Sequence, residues 1–136
     1  GKDMVYAIGT HPHEEAEIHC FSLNPSPSAG GGHSEKTLEW HQRMVDSCMG
    51  NFYDVSGVAF NDAAEVINRA SPHVLINLDG WTSAPLINEI FILGPAPVQI
   101  SFKGYAGTIG LKEIHALASD RIATPPEYAP HYTERL

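Results

Sequence analysis

The sequence predicts an α/β fold on a mainly parallel sheet, and three observations carry that prediction. Two short apolar runs, HVLINL (His73 to Leu78) and PVQISF (Pro97 to Phe102), are strand-like. Between them, Pro85 to Leu93 has the length and apolar content of a crossover helix. Each run ends in a polar, glycine-containing loop: Asp79-Gly80-Trp81-Thr82 after the first, Lys103 to Gly110 after the second. Strand, helix and strand in that order form a right-handed βαβ unit, which sets both loops at the carboxyl ends of neighbouring parallel strands. Open α/β sheets bind ligands at that edge.

The remaining elements alternate in the same way. Asp3 to Gly9 is expected to be the tail of a helix, and Ala16 to Leu23 a strand with apolar Ile18, Cys20, Phe21 and Leu23. The Pro, Ser and Gly content of Asn24 to Gly32 makes it a loop, and Ser34 can cap the helix that follows. Leu38, His41, Met44, Val45 and Cys48 recur at helical spacing, so this helix should bury one stripe. Phe52 to Val55 is a short strand, Asn61 the expected cap of a helix over Ala63 to Ala70, and Pro72 leads into the strand at His73. A short strand at Ile114 to Ala118 precedes a Pro-broken tail. Such alternation builds a parallel sheet with helices on both faces.

At 136 residues the chain has the size of one domain with a real core. Sixteen acidic against eight basic residues give a formal charge of -8, with no basic stripe to meet a nucleic acid or an anionic membrane. The longest apolar run, Ile87 to Leu93, is interrupted by Asn88 and Glu89 and is too short to span a bilayer. No signal-peptide pattern opens the sequence, and no Asn-X-Ser/Thr sequon with X other than Pro occurs. A cytoplasmic or nuclear location is therefore the expectation. Cys20 and Cys48, without a dense cysteine framework, are expected to be buried thiols.

Eight histidines invite a metal reading. His11-Pro12-His13 with Glu14, Glu15 and His19 can be drawn as a ligand cluster, but a His-Pro-His turn has neither helical i, i+4 spacing nor a Cys-X-X-Cys pair. A solvated turn, and no metal, is the expectation. His33 and His41 have no partner spacing, and His131 sits in the tail. His73, at the entrance to the key strand, is read first as a strand-end histidine and second as a residue near a donor pocket.

Asp79 and Thr82 are stronger candidates. A loop at the carboxyl end of a parallel strand presents hydroxyl and N–H groups to the crevice, and Gly80 lets the backbone come close to a ligand. An Asx-type turn, with Asp79 bonding the backbone of Trp81 or Thr82, explains the same residues about as well. The loop Gly104 to Gly110 lacks the Gly-Lys-Ser/Thr ending of a Walker loop, but its three glycines and Thr108 can present N–H groups to an anion or a sugar. A tight strand-to-helix turn is its plainer explanation.

Three segments, HVLINLDGWT, NEIFILGPAPVQISFKGYAGTIG and SDRIATPPEYAPHYTERL, resemble the catalytic region of the O-linked N-acetylglucosaminyltransferases, glycosyltransferase family 41. The matching motifs are Asp79-Gly80-Trp81-Thr82, Asn88-Glu89, Gly94 to Gln99, Gly104 to Gly110 and Ser119-Asp120, in the family's order. Upstream, Met4 to Pro25 aligns with the family's first helix and second strand without a gap. The resemblance implies a Rossmann-like three-layer domain, the first half of a GT-B glycosyltransferase. It also implies that 1–136 is a single N-terminal catalytic subdomain, a fragment inactive alone, whose family catalytic histidine precedes Gly1.

For the intact protein, the resemblance implies inverting, metal-independent transfer of N-acetylglucosamine from UDP-N-acetylglucosamine to a Ser or Thr of an acceptor protein. No cofactor is implied beyond the donor substrate. The implied partners are the acceptor protein, the sugar nucleotide, a second catalytic half and a helical repeat domain, with no nucleic acid and no membrane. The substrate-binding candidates are Asp79, Gly80, Thr82, Gly104, Gly107 and Thr108, followed by Met4 and His73.

Gly94 stands where the family has arginine, Ile109 replaces a serine, Lys103 an apolar residue, and His115-Ala116 an Asp-Tyr pair. These departures mark a divergent member. They leave open a non-catalytic module that binds protein or sugar nucleotide, and a protein O-fucosyltransferase of a related branch. An unrelated α/β hydrolase or metal enzyme lacks its nucleophile elbow and its ligand spacing here.

Overall fold

The computed structural model describes residues 2–28, 31–82 and 86–136. Contacts divide the chain into two units, Gly1–Gly57 and Val58–Leu136, each with its own parallel sheet. Among the described residues, no helix is long and apolar enough to cross a membrane.

The first unit runs α1 (Lys2–Gly9), β1 (Cys20–Ser22), α2 (Glu35–Ser47) and β2 (Phe52–Asp54). Strands β1 and β2 pair in parallel, Cys20 opposite Phe52 and Phe21 opposite Tyr53. The strand expected from Ala16 shrinks to three residues because its partner β2 is itself only three residues long. Ser34 caps α2 as expected, its Oγ accepting from the Thr37 N–H at 3.2 Å. The predicted stripe is present but only partly covered: Leu38, His41, Met44 and Val45 are half-buried, and Cys48 is buried. α1 packs against α2, with Tyr6 meeting Trp40 edge-on at 6.1 Å, and its Val5 and Ile8 are buried.

Cys20 and Cys48 form a disulfide, not the pair of free thiols that the sequence suggested. Sequence spacing could not show this. The parallel pairing of β1 with β2 brings the start of β1 to the C-cap of α2, leaving the two Cα atoms 6.5 Å apart, within disulfide range. The bond closes a 28-residue separation. Reducing it, or replacing Cys48 with serine, should cost this unit about 3–4 kcal/mol. Amide exchange of β1 and β2 with and without reductant measures the loss, and thiol titration under a glutathione buffer shows which form a reducing compartment would hold.

The second unit runs α3 (Phe60–Arg69), β3 (Val74–Asn77), α4 (Leu86–Ile92), β4 (Val98–Phe102), β5 (Ala116–Ala118) and a 3-10 helix (Pro126–His131). Its sheet has the order β3-β4-β5, all parallel, with Asn77 opposite Ser101 and Ile100 opposite Ala116. β3, α4 and β4 are thus the βαβ unit expected from sequence; Pro85, its expected first helical residue, lies outside the described residues. Ala59, not Asn61, holds the N-cap position of α3, because the Ala63 N–H already bonds the Ala59 carbonyl at 2.9 Å and starts the helix earlier. β5 begins at Ala116 and not at Ile114, whose N–H closes a turn onto the Leu111 carbonyl.

Burial alternates along β3 and β4 as a pleat requires. The buried set is Leu75, Asn77, Gln99, Ser101 and Leu117, and α4 lies on that face: the Gln99 amide donates to the Phe91 carbonyl at 2.9 Å. Val74, Ile76, Val98 and Phe102 point the other way and are exposed. The covered face of β3 and β4 is thus the polar one. Of these polar groups, Asn77 finds its partners in the loop above it, whereas Gln99 Oε1 and Ser101 Oγ have none among the described residues.

Candidate functional site

The loops after β3 and β4 emerge side by side, because their strands are hydrogen-bonded neighbours. Their glycines make close packing possible. A Cβ at Gly80 would press into the Tyr105 side chain, with Tyr105 Cγ at 2.9 Å, and Gly80 also has φ +57°. A Cβ at Gly104 would overlap the Leu78 carbonyl, with the Leu78 carbonyl carbon at 2.7 Å and Asp79 Cα at 2.9 Å. Trp81 Nε1 then donates to the Ile109 carbonyl at 3.2 Å, tying one loop to the other. Gly107 does not adopt positive φ; it is glycine because the Tyr105 ring would stand 2.8 to 2.9 Å from any Cβ.

Beneath the first loop lies a buried amide pair that sequence reading passed over. Asn77, 0% exposed, accepts the Asp79 N–H at 3.0 Å and the Gly80 N–H at 2.8 Å on Oδ1. Its Nδ2 donates to Asn88 Oδ1 at 3.0 Å, and Asn88 Nδ2 donates to the Gly80 carbonyl at 3.1 Å. The two backbone donors settle which atom of Asn77 is oxygen. The turn that the alternative explanation gave to Asp79 is therefore made by Asn77. A polar residue inside the run HVLINL was the available signal, since a buried amide has to be bonded.

Thr82 donates its hydroxyl to the Asp79 carbonyl at 2.6 Å, and its N–H goes to the same oxygen at 3.0 Å. The hydroxyl is exposed and keeps its lone pairs for a ligand donor. The half-buried Asp79 carboxylate bonds no other described residue. Thr108 is occupied: its hydroxyl meets Glu134 Oε2 at 2.7 Å and Thr133 Oγ1 at 2.9 Å.

Three N–H groups of the second loop are occupied as well: Gly104 donates to the Phe102 carbonyl at 2.9 Å, and Ile109 and Gly110 donate to Glu134 Oε1 at 2.7 and 3.1 Å. Burial pushes the Glu134 carboxyl up, but the Thr108 hydroxyl and the N–H groups of Glu134, Ile109 and Gly110 outweigh it, so the group sits below the ordinary glutamate value. The anion cradle that the sequence offered in Gly104 to Gly110 is in this half filled by the chain's own carboxylate. The N–H groups of Tyr105, Ala106 and Gly107 have no acceptor among the described residues. Asp79, Thr82 and this stretch are what the crest offers a ligand: one carboxylate, one hydroxyl and a few backbone donors, suited to sugar hydroxyls or an acceptor backbone.

The other candidates lie elsewhere. His73 is exposed at the opposite, entry end of β3, and Met4 lies in α1 of the first unit. His115 accepts the Gln99 N–H on Nδ1 at 3.0 Å, so its proton is on Nε2 when neutral. His19 bridges Glu17 (3.1 Å) and Tyr53 (3.2 Å), and His11 meets His13 edge-on. Among the described residues, no three His, Cys, Asp or Glu side chains gather as a metal-binding set.

Comparison with known proteins agrees with this architecture. The probable UDP-N-acetylglucosamine--peptide N-acetylglucosaminyltransferase SEC of Arabidopsis thaliana is 36% identical over 133 residues, covering 98% of this chain and 12% of that protein. The UDP-N-acetylglucosamine--peptide N-acetylglucosaminyltransferase of Caenorhabditis elegans is 32% identical over 129 residues, covering 94% of this chain and 10% of its own length. A solved mutant O-GlcNAc transferase of Thermobaculum terrenum superposes with a TM-score of 0.83 at 23% identity, over 98% of this chain and 23% of that one, which shows the shared GT-B fold. The chain spans about a tenth of the length of these two curated relatives. A family model described as glycosyl transferase family 41 matches residues 3–136, and with these relatives it shows that the chain belongs to that family.

Proposed function

We propose that the protein carrying this chain transfers N-acetylglucosamine from UDP-N-acetylglucosamine to a Ser or Thr hydroxyl of an acceptor protein. The observation that carries the proposal is the interlocked pair of crest loops, Asp79 to Thr82 and Gly104 to Gly110, in a chain 36% identical to a plant protein named for that transfer. Inversion needs in-line attack by the acceptor hydroxyl, so catalysis is positioning and stabilisation of charge developing on the leaving diphosphate. A crest offering the Asp79 carboxylate, the Thr82 hydroxyl and backbone N–H groups suits the sugar and acceptor side. This reading assigns stabilisation of the leaving diphosphate to the rest of the protein. No metal enters the proposed mechanism.

Full-length protein, radiolabelled donor and an acceptor protein test the proposal. Transfer should survive EDTA, and the 136-residue chain alone should transfer nothing above a heat-killed control. Binding of the donor without turnover would make this the non-catalytic module, and transfer only from a fucose nucleotide would assign the related branch. Thr82→Val should lower turnover by roughly 5- to 150-fold, the loss of about 1–3 kcal/mol from one transition-state hydrogen bond. Its Tm should fall only slightly, since the lost hydroxyl bond is exposed. Full activity with a markedly lower Tm would make Thr82 a turn residue alone.

A further inference from the structure

Glu134 is 5% exposed and collects three donors from one loop about 25 positions away: the Thr108 hydroxyl and the Ile109 and Gly110 N–H groups. The segment that delivers it is itself anchored. The Leu117 N–H donates to the Arg135 carbonyl at 2.8 Å and the Arg135 N–H to the His115 carbonyl at 3.2 Å, so Arg135 bridges β5 as a one-residue parallel strand. On the same segment, Tyr132 donates its hydroxyl to the Ala106 carbonyl at 2.9 Å, and the Thr133 N–H reaches Thr108 Oγ1 at 3.3 Å. The glycine loop is therefore fastened at 106, 108, 109 and 110 to a segment registered on the sheet.

The fastening reaches the other crest loop. Ile109, held by Glu134 through its N–H, offers its carbonyl to Trp81 Nε1, and Trp81 belongs to the loop that carries Asp79 and Thr82. We propose that Glu134 is a positioning residue of the transfer reaction, setting the glycine loop and, through Ile109 and Trp81, the Asp79–Thr82 loop in their working geometry. This inference rests on the transferase reading above. A buried carboxylate needs several donors to be tolerated, and here all the donors it takes from outside its own segment come from the loop it positions. A misplacement of about 1 Å at a reacting centre can cost about 100-fold in rate, so the effect should appear in turnover per folded molecule.

The test uses the full-length protein. Glu134→Ala should lower kcat about 10- to 100-fold per folded molecule with KM for the donor little changed, and the Ile109 and Gly110 amides should lose protection from hydrogen exchange. Glu134→Gln should restore both, since its Oε1 can still accept the two N–H groups and its amide can donate to Thr108. Where Glu134→Ala does not fold, Glu134→Asp, which withdraws the carboxylate by one methylene, takes its place. The proposal is overturned by unchanged kcat per folded molecule, by lost kcat with both amides still protected, or by a Gln variant no better than Ala. If the wild type transfers no sugar, the transferase reading fails; the clamp is then judged on exchange alone, upheld by protection lost in Ala and kept in Gln, and overturned by equal protection in all three.

Discussion

Replacing Gly104 with alanine is expected to force the two crest loops apart and to cost about 3 kcal/mol or more. The added Cβ would overlap the carbonyl of Leu78 and crowd Asp79 Cα, and these are backbone atoms with no rotamer to escape into. Overpacking a core side chain typically costs about 1–3 kcal/mol because neighbours can shift; here the neighbour is the end of β3. Two other glycines calibrate the result. Gly107→Ala meets the Tyr105 ring, which can turn, and should cost less. Gly94→Ala meets nothing within 4 Å and carries only the left-handed backbone penalty of φ +64°, about 1–2 kcal/mol. Urea unfolding of the three variants should rank them with Gly104 worst. In the full-length protein, Gly104→Ala should also bring transfer close to background, since both candidate loops move. Equal midpoints for Gly104→Ala and Gly94→Ala would show that the loops are not interlocked.

Much of this architecture was readable from local pattern. The β3-α4-β4 unit, the Ser34 cap and the half-buried stripe of α2 follow from periodicity and turn chemistry acting over a few residues. What was missed depends on residues brought together over distance. The Cys20–Cys48 bond depends on strand pairing in the first unit, and Glu134 meets its loop across about 25 positions, so no spacing rule points to either. The glycines were visible, but what they pack against was not. Gly104 and Gly107 were singled out as ligand-facing, and the structure adds a second reason for each to be glycine: room for the Leu78 carbonyl and for the Tyr105 ring. Asn77 is the instructive intermediate. Its polarity inside an apolar strand was visible, but only the partners of its amide show that it builds the turn credited to Asp79.

Asn77→Ala is the second substitution expected to have a large effect, because it leaves partners behind. The Asp79 and Gly80 N–H groups and Asn88 Oδ1 all lose their bond, the last two in buried surroundings and the first half-buried. A buried group left unsatisfied costs about 1–3 kcal/mol, so a total near 3–5 kcal/mol is expected, among the largest values for single substitutions. Asn77→Asp should not rescue it: Oδ1 could still accept both N–H groups, but the other oxygen would face Asn88 Oδ1, and a charge would be buried beside it. Asn88→Ala should also be costly, leaving Asn77 Nδ2 and the Gly80 carbonyl unpaired. The double variant separates a network from two independent bonds. Once Asn77 is gone, removing Asn88 also removes the stranded Oδ1, so the double variant should be less damaging than the sum of the singles by about 1–2 kcal/mol. Chemical denaturation of the four proteins gives the coupling. Strict additivity would mean that the two amides do not share one network and that each holds the Asp79–Thr82 loop independently.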